Sequence, residues 1–135
     1  MWGFILAGQT GLQCSLGHAV YDYAHIGNFR AYICSDILKR YLKYKGYKVK
    51  HVMNITDVED KTIKGSLKEG ISLSKYTKKF EKAFFEDLER LNIDKADMYP
   101  RATDHIKEMV DIIENLLKKK TAYKAKDGIY FDISK

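Results

Sequence analysis

The sequence predicts an α/β fold, with a Rossmann-like first half followed by a helical segment and a terminal β-hairpin. Three observations carry that expectation. An amphipathic helix, a glycine stop and an apolar, β-branched run succeed one another between Arg30 and Ile55, which is the middle of a βαβ unit. Two apolar stripes at 3.6-residue spacing follow, from Leu73 to Leu91 and from Ile106 to Leu117. Asp127-Gly128 then separates two short aromatic-rich runs, a strong hairpin turn signal.

The elements can be taken in order. Residues 1–19 have no clear period, because Gly3, Gly8, Gly11 and Gly17 interrupt them, and only residues 12–16 suggest a short strand. His25-Ile26-Gly27-Asn28 then opens a helix whose apolar positions are Ile33, Ile37, Leu38, Tyr41 and Leu42, with Gly46 as its stop. Cys34 and Tyr41 fall within that apolar pattern and are expected to be buried. Tyr47 to Asn54 reads as a strand. Thr56 and Glu59 have capping-box spacing, so a short helix should start there and be broken by Gly65 and Gly70. Ser72 or Ser74 could cap the next helix, whose stripe is Leu73, Tyr76, Phe80, Phe84, Leu88 and Leu91. Pro100 marks a boundary, and a further helix runs from about Thr103 to the triple lysine Lys118 to Lys120. Those lysines complement the helix dipole. Tyr123 to Ala125 and Ile129 to Phe131 form the hairpin. The resulting organisation is an atypical segment 1–19, a nucleotide-binding part 20–64 and a helical part 65–135.

With 135 residues, 45% hydrophobic and 31% charged, the chain suits one globular domain with a real core, and wholesale disorder is excluded. The net charge of +6 is uneven: Lys39, Arg40, Lys43, Lys45, Lys48 and Lys50 fall within twelve residues that contain no acid. Such a run can attract a phosphate backbone, and it can equally be a solvated helix face. Cys14 and Cys34 form no spacing motif, so a reducing, cytoplasmic setting is the default. Met1 to Ala7 is apolar but short, and no Lys or Arg precedes Arg30, which predicts no presequence. No run is long enough to span a membrane.

The chemistry concentrates in two stretches. The first is the turn His25, Ile26, Gly27 and Asn28 at a helix N-terminus, where backbone N–H groups and the helix dipole attract phosphate. Gly27 lets the backbone approach a phosphate without a Cβ in the way, His25 can donate to phosphate oxygens, and Asn28 is a neutral donor. Taken alone, His25 could equally be a helix-terminal surface residue. The second stretch is Asn54-Ile55-Thr56-Asp57-Val58-Glu59-Asp60-Lys61 at the carboxyl end of a strand, where ligands bind in open α/β sheets. Asn54, Thr56 and Asp57 could reach a ligand that also touches the His25 turn, and Thr56 and Asp57 could instead simply cap a helix.

Tyr21-Asp22-Tyr23-Ala24-His25-Ile26-Gly27-Asn28, then Asn54-Ile55-Thr56-Asp57 with Glu59-Asp60-Lys61, then Pro100-Arg101-Ala102-Thr103 and Asp127-Gly128-Ile129-Tyr130-Phe131-Asp132, resemble the cysteinyl-tRNA synthetase family in the family's own order. The resemblance runs from about Val20 to Lys135. It implies a class I synthetase catalytic domain that activates cysteine with ATP and Mg and then esterifies tRNA(Cys). It places His25, Ile26, Gly27 and Asn28 on the ATP-binding turn, with His25 and Asn28 in the catalytic role, and it puts Thr56 and Gly17 at the amino-acid pocket. Residues 65–135 would begin the insertion between the two Rossmann halves.

The family also carries a Cys-Gly-Pro-Thr-Val-Tyr-like segment whose cysteine binds zinc. Here Leu16 occupies that position and cannot coordinate a metal. Cys14, two residues upstream, would stand about 6 to 7 Å away on a strand. The chain therefore reads as the first part of a synthetase with an atypical start. The missing second half of the synthetase, with the remaining zinc ligands and the lysine-rich signature loop, counts among its expected partners, and alone the chain should be inactive. Two alternatives are a cysteine-adenylating ligase of mycothiol synthesis and a non-catalytic RNA-binding fragment.

Overall fold

The computed structural model describes residues 3–7, 10–15 and 17–134, with side chains from residue 10 onward. They form two compact units, Met1–Thr103 and Asp104–Lys135, rather than the one domain that length suggests.

In the first unit, strand β1 (Gly3–Ala7) pairs antiparallel with β2 (Thr10–Ser15), and β2 pairs parallel with β3 (Lys48–Met53). The crossover between the parallel strands is helix α1 (Ile26–Tyr44). The short strand expected at 12–16 begins two residues earlier than expected, and Leu16 lies outside the described residues. Parallel pairing resumes beyond Gly17, where Thr56 N–H donates to the His18 carbonyl and Val20 N–H to that of Thr56. Residues 97–102 line the other edge of β3, with Met53 N–H donating to Met98 and Ile55 N–H to Pro100. The carboxyl ends of β2 and β3 thus lie side by side, which is where an α/β sheet presents ligands.

Helix α1 packs on the sheet in an unexpected way. Its buried positions are Phe29, Tyr32, Ser35, Asp36 and Lys39, while Ile37 is 61% exposed, Tyr41 57% and Tyr44 86%. Ile37, Leu38 and Tyr41 of the apolar stripe read from the sequence therefore face solvent, Ile33 and Leu42 are half-buried with Ile33 packed against the core, and Cys34, expected inside, is exposed. The polar side fits beneath because most of its groups find partners there, although Gln13 Oε1 and His51 Nδ1 on the sheet are buried without one. Gln13 Nε2 donates to the Ser35 carbonyl at 2.9 Å, Lys39 Nζ to that of Lys95 at 2.6 Å, and Asp36 accepts from Arg40 and from Asp94 N–H. Hydrogen-bonded polar groups can be buried without the large desolvation cost of unpaired ones.

Helix α2 (Asp60–Glu69) starts later than the Thr56–Glu59 spacing suggests. Glu59 is its N-cap residue, and Glu59 N–H donates to Thr62 Oγ1 at 2.9 Å. Gly65 does not break it. A Cβ there would lie 2.3 Å from the Tyr76 hydroxyl oxygen, so this glycine admits the next helix. Gly70 ends α2 in the left-handed conformation, at φ 64°. Helix α3 (Leu73–Arg90) is capped by Ser72, and it buries Tyr76, Phe80, Phe84 and Leu88 as its stripe predicts, leaving Leu91 40% exposed. These side chains form the core with Val20, Phe29, Tyr32, Met53, Ile55 and Ile93.

The second unit contains helix α4 (Ile106–Lys118), preceded by a 3-10 turn at Ala102–His105. Strands β4 (Ala122–Lys124) and β5 (Ile129–Phe131) pair antiparallel. None of the α4 residues is buried, so its stripe Ile106, Met109, Val110 and Ile113 is open.

Candidate functional site

A cleft of about 430 Å³ opens at the carboxyl end of the sheet, lined by Gly17, His18, Ala19, the turn Tyr21 to Tyr23, His25, Asn28 and Tyr32. His25 adopts extended backbone angles, φ −80° and ψ 155°, and is the N-cap of α1. Its Nδ1 accepts from Gly27 N–H at 3.1 Å, while Asn28 Oδ1 accepts from His25 N–H at 3.0 Å. This reciprocal arrangement is a capping box built from histidine and asparagine instead of serine and glutamate.

That geometry fixes the chemistry of both side chains. A backbone N–H can only donate, so His25 Nδ1 is the acceptor and the neutral ring carries its proton on Nε2. Asn28 uses its carbonyl oxygen, which leaves its Nδ2 amide as the donor. The sequence suggests a free helix N-terminus. Instead Gly27 N–H is already engaged, and His25 Nε2–H and the Asn28 amide are side-chain donors exposed beside it. A Cβ on Gly27 would meet only His25 Nδ1, at 3.4 Å, so the protein's own packing leaves the space beside this glycine open. Burial pushes the Tyr32 phenol up to about 12, so this cleft residue keeps its proton at neutral pH.

Gly17 and Thr56 meet where the two parallel strands end. A Cβ on Gly17 would stand 1.3 Å from the Asn54 carbonyl oxygen, so no larger residue fits. Gly17 N–H donates to Asn54 Oδ1 at 3.0 Å, and Asn54 Nδ2 donates to Thr56 Oγ1 at 3.1 Å. The Thr56 hydroxyl accepts that bond and keeps its own proton for another acceptor. Asp57 is 7% exposed and does not face a ligand. Both of its oxygens are taken by Thr103, from N–H at 3.0 Å and from Oγ1 at 2.6 Å. Neither Thr56 nor Asp57 caps α2. Arg101 is ion-paired with Glu81, so the Pro100-Arg101-Ala102-Thr103 stretch acts here as a brace.

Sequence reasoning missed the wall of the cleft. His18 is 7% exposed, its Nε2 lies 2.8 Å from the Asp22 carbonyl, and its ring stacks on Phe84 at 5.1 Å. The only signal available was the helical spacing of Tyr76, Phe80 and Phe84, which said that they were buried but not against what.

The donors among the described residues do not fit a zinc site. Among the described residues no group of three or more His, Cys, Asp and Glu is arranged to hold a metal. Cys14 is exposed on the sheet, the ring nitrogen of His18 serves a backbone carbonyl, and the Leu16 position lies outside the described residues.

Residues 8–135 match the family model described as tRNA synthetases class I (C) catalytic domain, which extends the resemblance upstream of Val20. The chain belongs to this family of class I synthetase catalytic domains. Among curated proteins it is similar to the cysteine--tRNA ligase of Brachyspira hyodysenteriae, 57% identical over 130 residues, or 96% of this chain and 27% of that one. It is likewise similar to the cysteine--tRNA ligases of Protochlamydia amoebophila, 54% identical over 87% of this chain and 25% of the relative, and of Chlamydia pneumoniae, 55% identical over 88% and 25%. The chain thus spans about a quarter of the length of these relatives. They lend no support to the mycothiol-ligase or RNA-binding alternatives. Among the described residues no helix is long and apolar enough to cross a membrane.

Proposed function

We propose that this chain is the N-terminal part of a cytoplasmic cysteine–tRNA ligase. In this reading residues 20–64 are the first part of a Rossmann-like nucleotide-binding domain, and residues 65–135 begin the helical insertion. Its substrates are ATP with Mg, cysteine and tRNA(Cys). The observation that carries the reading is the His25–Asn28 capping box at the mouth of the cleft, beside the paired ends of β2 and β3. His25 Nε2–H and the Asn28 amide would donate to phosphate oxygens as charge develops on the α-phosphate. Gly27 leaves that approach open. The Thr56 hydroxyl, positioned through Asn54 and Gly17, would contact the amino acid. No step is routed through zinc, because the donor set does not fit it.

Alone, the chain would catalyse little, since a class I site draws donors from both halves of its domain. The test is a chimera in which residues 20–135 replace the matching segment of the Brachyspira hyodysenteriae ligase. Cysteine-dependent ATP–pyrophosphate exchange is expected, falling about 100- to 1000-fold on His25→Ala, the usual effect of losing a transition-state donor. A folded chimera without exchange would overturn the reading.

A further inference from the structure

Three aromatic residues spaced four apart on α3 touch three residues that line the cleft. Phe84 stacks under His18 at 5.1 Å, Phe80 meets the Tyr23 ring edge-on at 5.2 Å, and the Tyr76 hydroxyl donates to the Tyr21 carbonyl at 2.8 Å. The chain leaves the sheet at Val20, and the next two carbonyls have no ladder partner there. Tyr76 satisfies the first, and His18 satisfies the second, that of Asp22. Tyr76 can reach because α2 carries Gly65, where a Cβ would stand 2.3 Å from the phenol oxygen. Lys61 of α2 lies over the Tyr21 ring at 4.4 Å.

We infer that Tyr76, seated on Gly65, is a positioning residue for the nucleotide-binding turn, holding the Tyr21 carbonyl so that the chain enters the His25 cap at the required angle. This rests on the ATP-binding reading above. Tyr76 is 7% exposed and is not among the residues lining the cleft, so its hydroxyl acts on the site through the Tyr21 carbonyl, while its ring packs on Phe80. Displacing a site by about 1 Å can cost on the order of 100-fold, so one hydrogen bond at its wall is enough to matter.

The test uses the full-length chimera described above, labelled with 15N and titrated with MgATP, with the unsubstituted chimera as the wild type. Three proteins are compared: wild type, Tyr76→Phe, which keeps the ring and removes only the hydroxyl, and Ile93→Val, a core change remote from the turn. Readouts are the ATP Kd and the Gly27 amide shift, which reports the bond to His25 Nδ1. Tyr76→Phe is expected to weaken ATP about 5- to 10-fold, the worth of one hydrogen bond, and to move the Gly27 resonance. Ile93→Val should lower stability without either effect. If wild type binds ATP and Tyr76→Phe matches it in both readouts, the positioning role is overturned and the ATP reading stands. If Ile93→Val reproduces both effects, general destabilisation explains them and the role is also overturned. If wild type does not respond to MgATP, the ATP reading fails and takes this inference with it.

Discussion

At the residue scale, Gly17 is the least replaceable position. The Asn54 carbonyl occupies the space a Cβ needs, and that contact is backbone, which cannot rotate away. Gly17→Ala is expected to cost at least about 3 kcal/mol, measurable as a lowered urea midpoint, because the parallel pair must part to accept it. His51 supplies a pH dependence. It is 2% exposed on the face of β3 that meets α1, with Nε2 beside Ser15 Oγ at 2.8 Å. Burial pushes its pKa below the usual histidine value, nearby Lys39 and Lys43 push the same way, and Asp97 and Asp36 oppose. The unfolded chain takes up a proton near pH 6.5 and the native chain only at lower pH. Protons therefore favour unfolding: this contribution to stability is whole above about 6.5 and is lost as pH falls below it. Thermal midpoints measured from pH 7.5 to 5 should decline, and His51→Gln should flatten that decline.

At the scale of elements, the sequence was a better guide to where helices lie than to which side they bury. Helix α3 behaves as periodicity says, because Tyr76, Phe80, Phe84 and Leu88 meet a mainly aromatic and aliphatic core, while Glu81 beside them is buried against Arg101. Helix α1 does not. Gln13, Ser15 and His51 point toward it from the sheet, so a polar face is what fits beneath, and no single-helix pattern contains that information. The boundary error in α2 has a similar cause. Thr56 looked like a cap by spacing, but strand pairing with His18 and Val20 holds it in the sheet, and the helix waits for Glu59. Ile37→Glu, on the outward side of α1, is accordingly expected to change stability by less than about 0.5 kcal/mol, where a core isoleucine would lose several. Equilibrium urea unfolding decides it, and a loss above about 2 kcal/mol would mean that this face is covered.

At the scale of the whole molecule, the His25 turn, Gly27 and Asn28 were legible because helix capping and glycine chemistry are local. Gly17 and Thr56 were singled out for the amino-acid pocket by family resemblance alone, since what unites them is the side chain of Asn54, 37 residues further along the chain from Gly17. The two compact units also differ in kind. Core residues such as Phe84 and Leu88, each 1% exposed, belong to the first, whereas α4 in the second buries none of its side chains. Amide hydrogen exchange should report this directly. Amides of β3 and α3 should exchange only through rare, large openings, and those of α4 should exchange many-fold faster through local ones. Equal protection in both would show that α4 is shielded more than its exposure implies.

The capping box at the start of α1 has one more consequence. Gly27 N–H is not vacant but held by the imidazole beside it. An anion arriving there is a rival, not a tenant, and must evict His25 Nδ1 before it can settle. A chloride that trades one bond for another gains almost nothing from the exchange. In the proposed reading, a polyphosphate that reaches Gly27 N–H, His25 Nε2–H and the Asn28 amide together would recover that loss through its additional bonds. Under the proposed ATP-binding reading, such a turn would sort anions by denticity, passing over small ions and yielding only to a ligand able to grip at several points simultaneously.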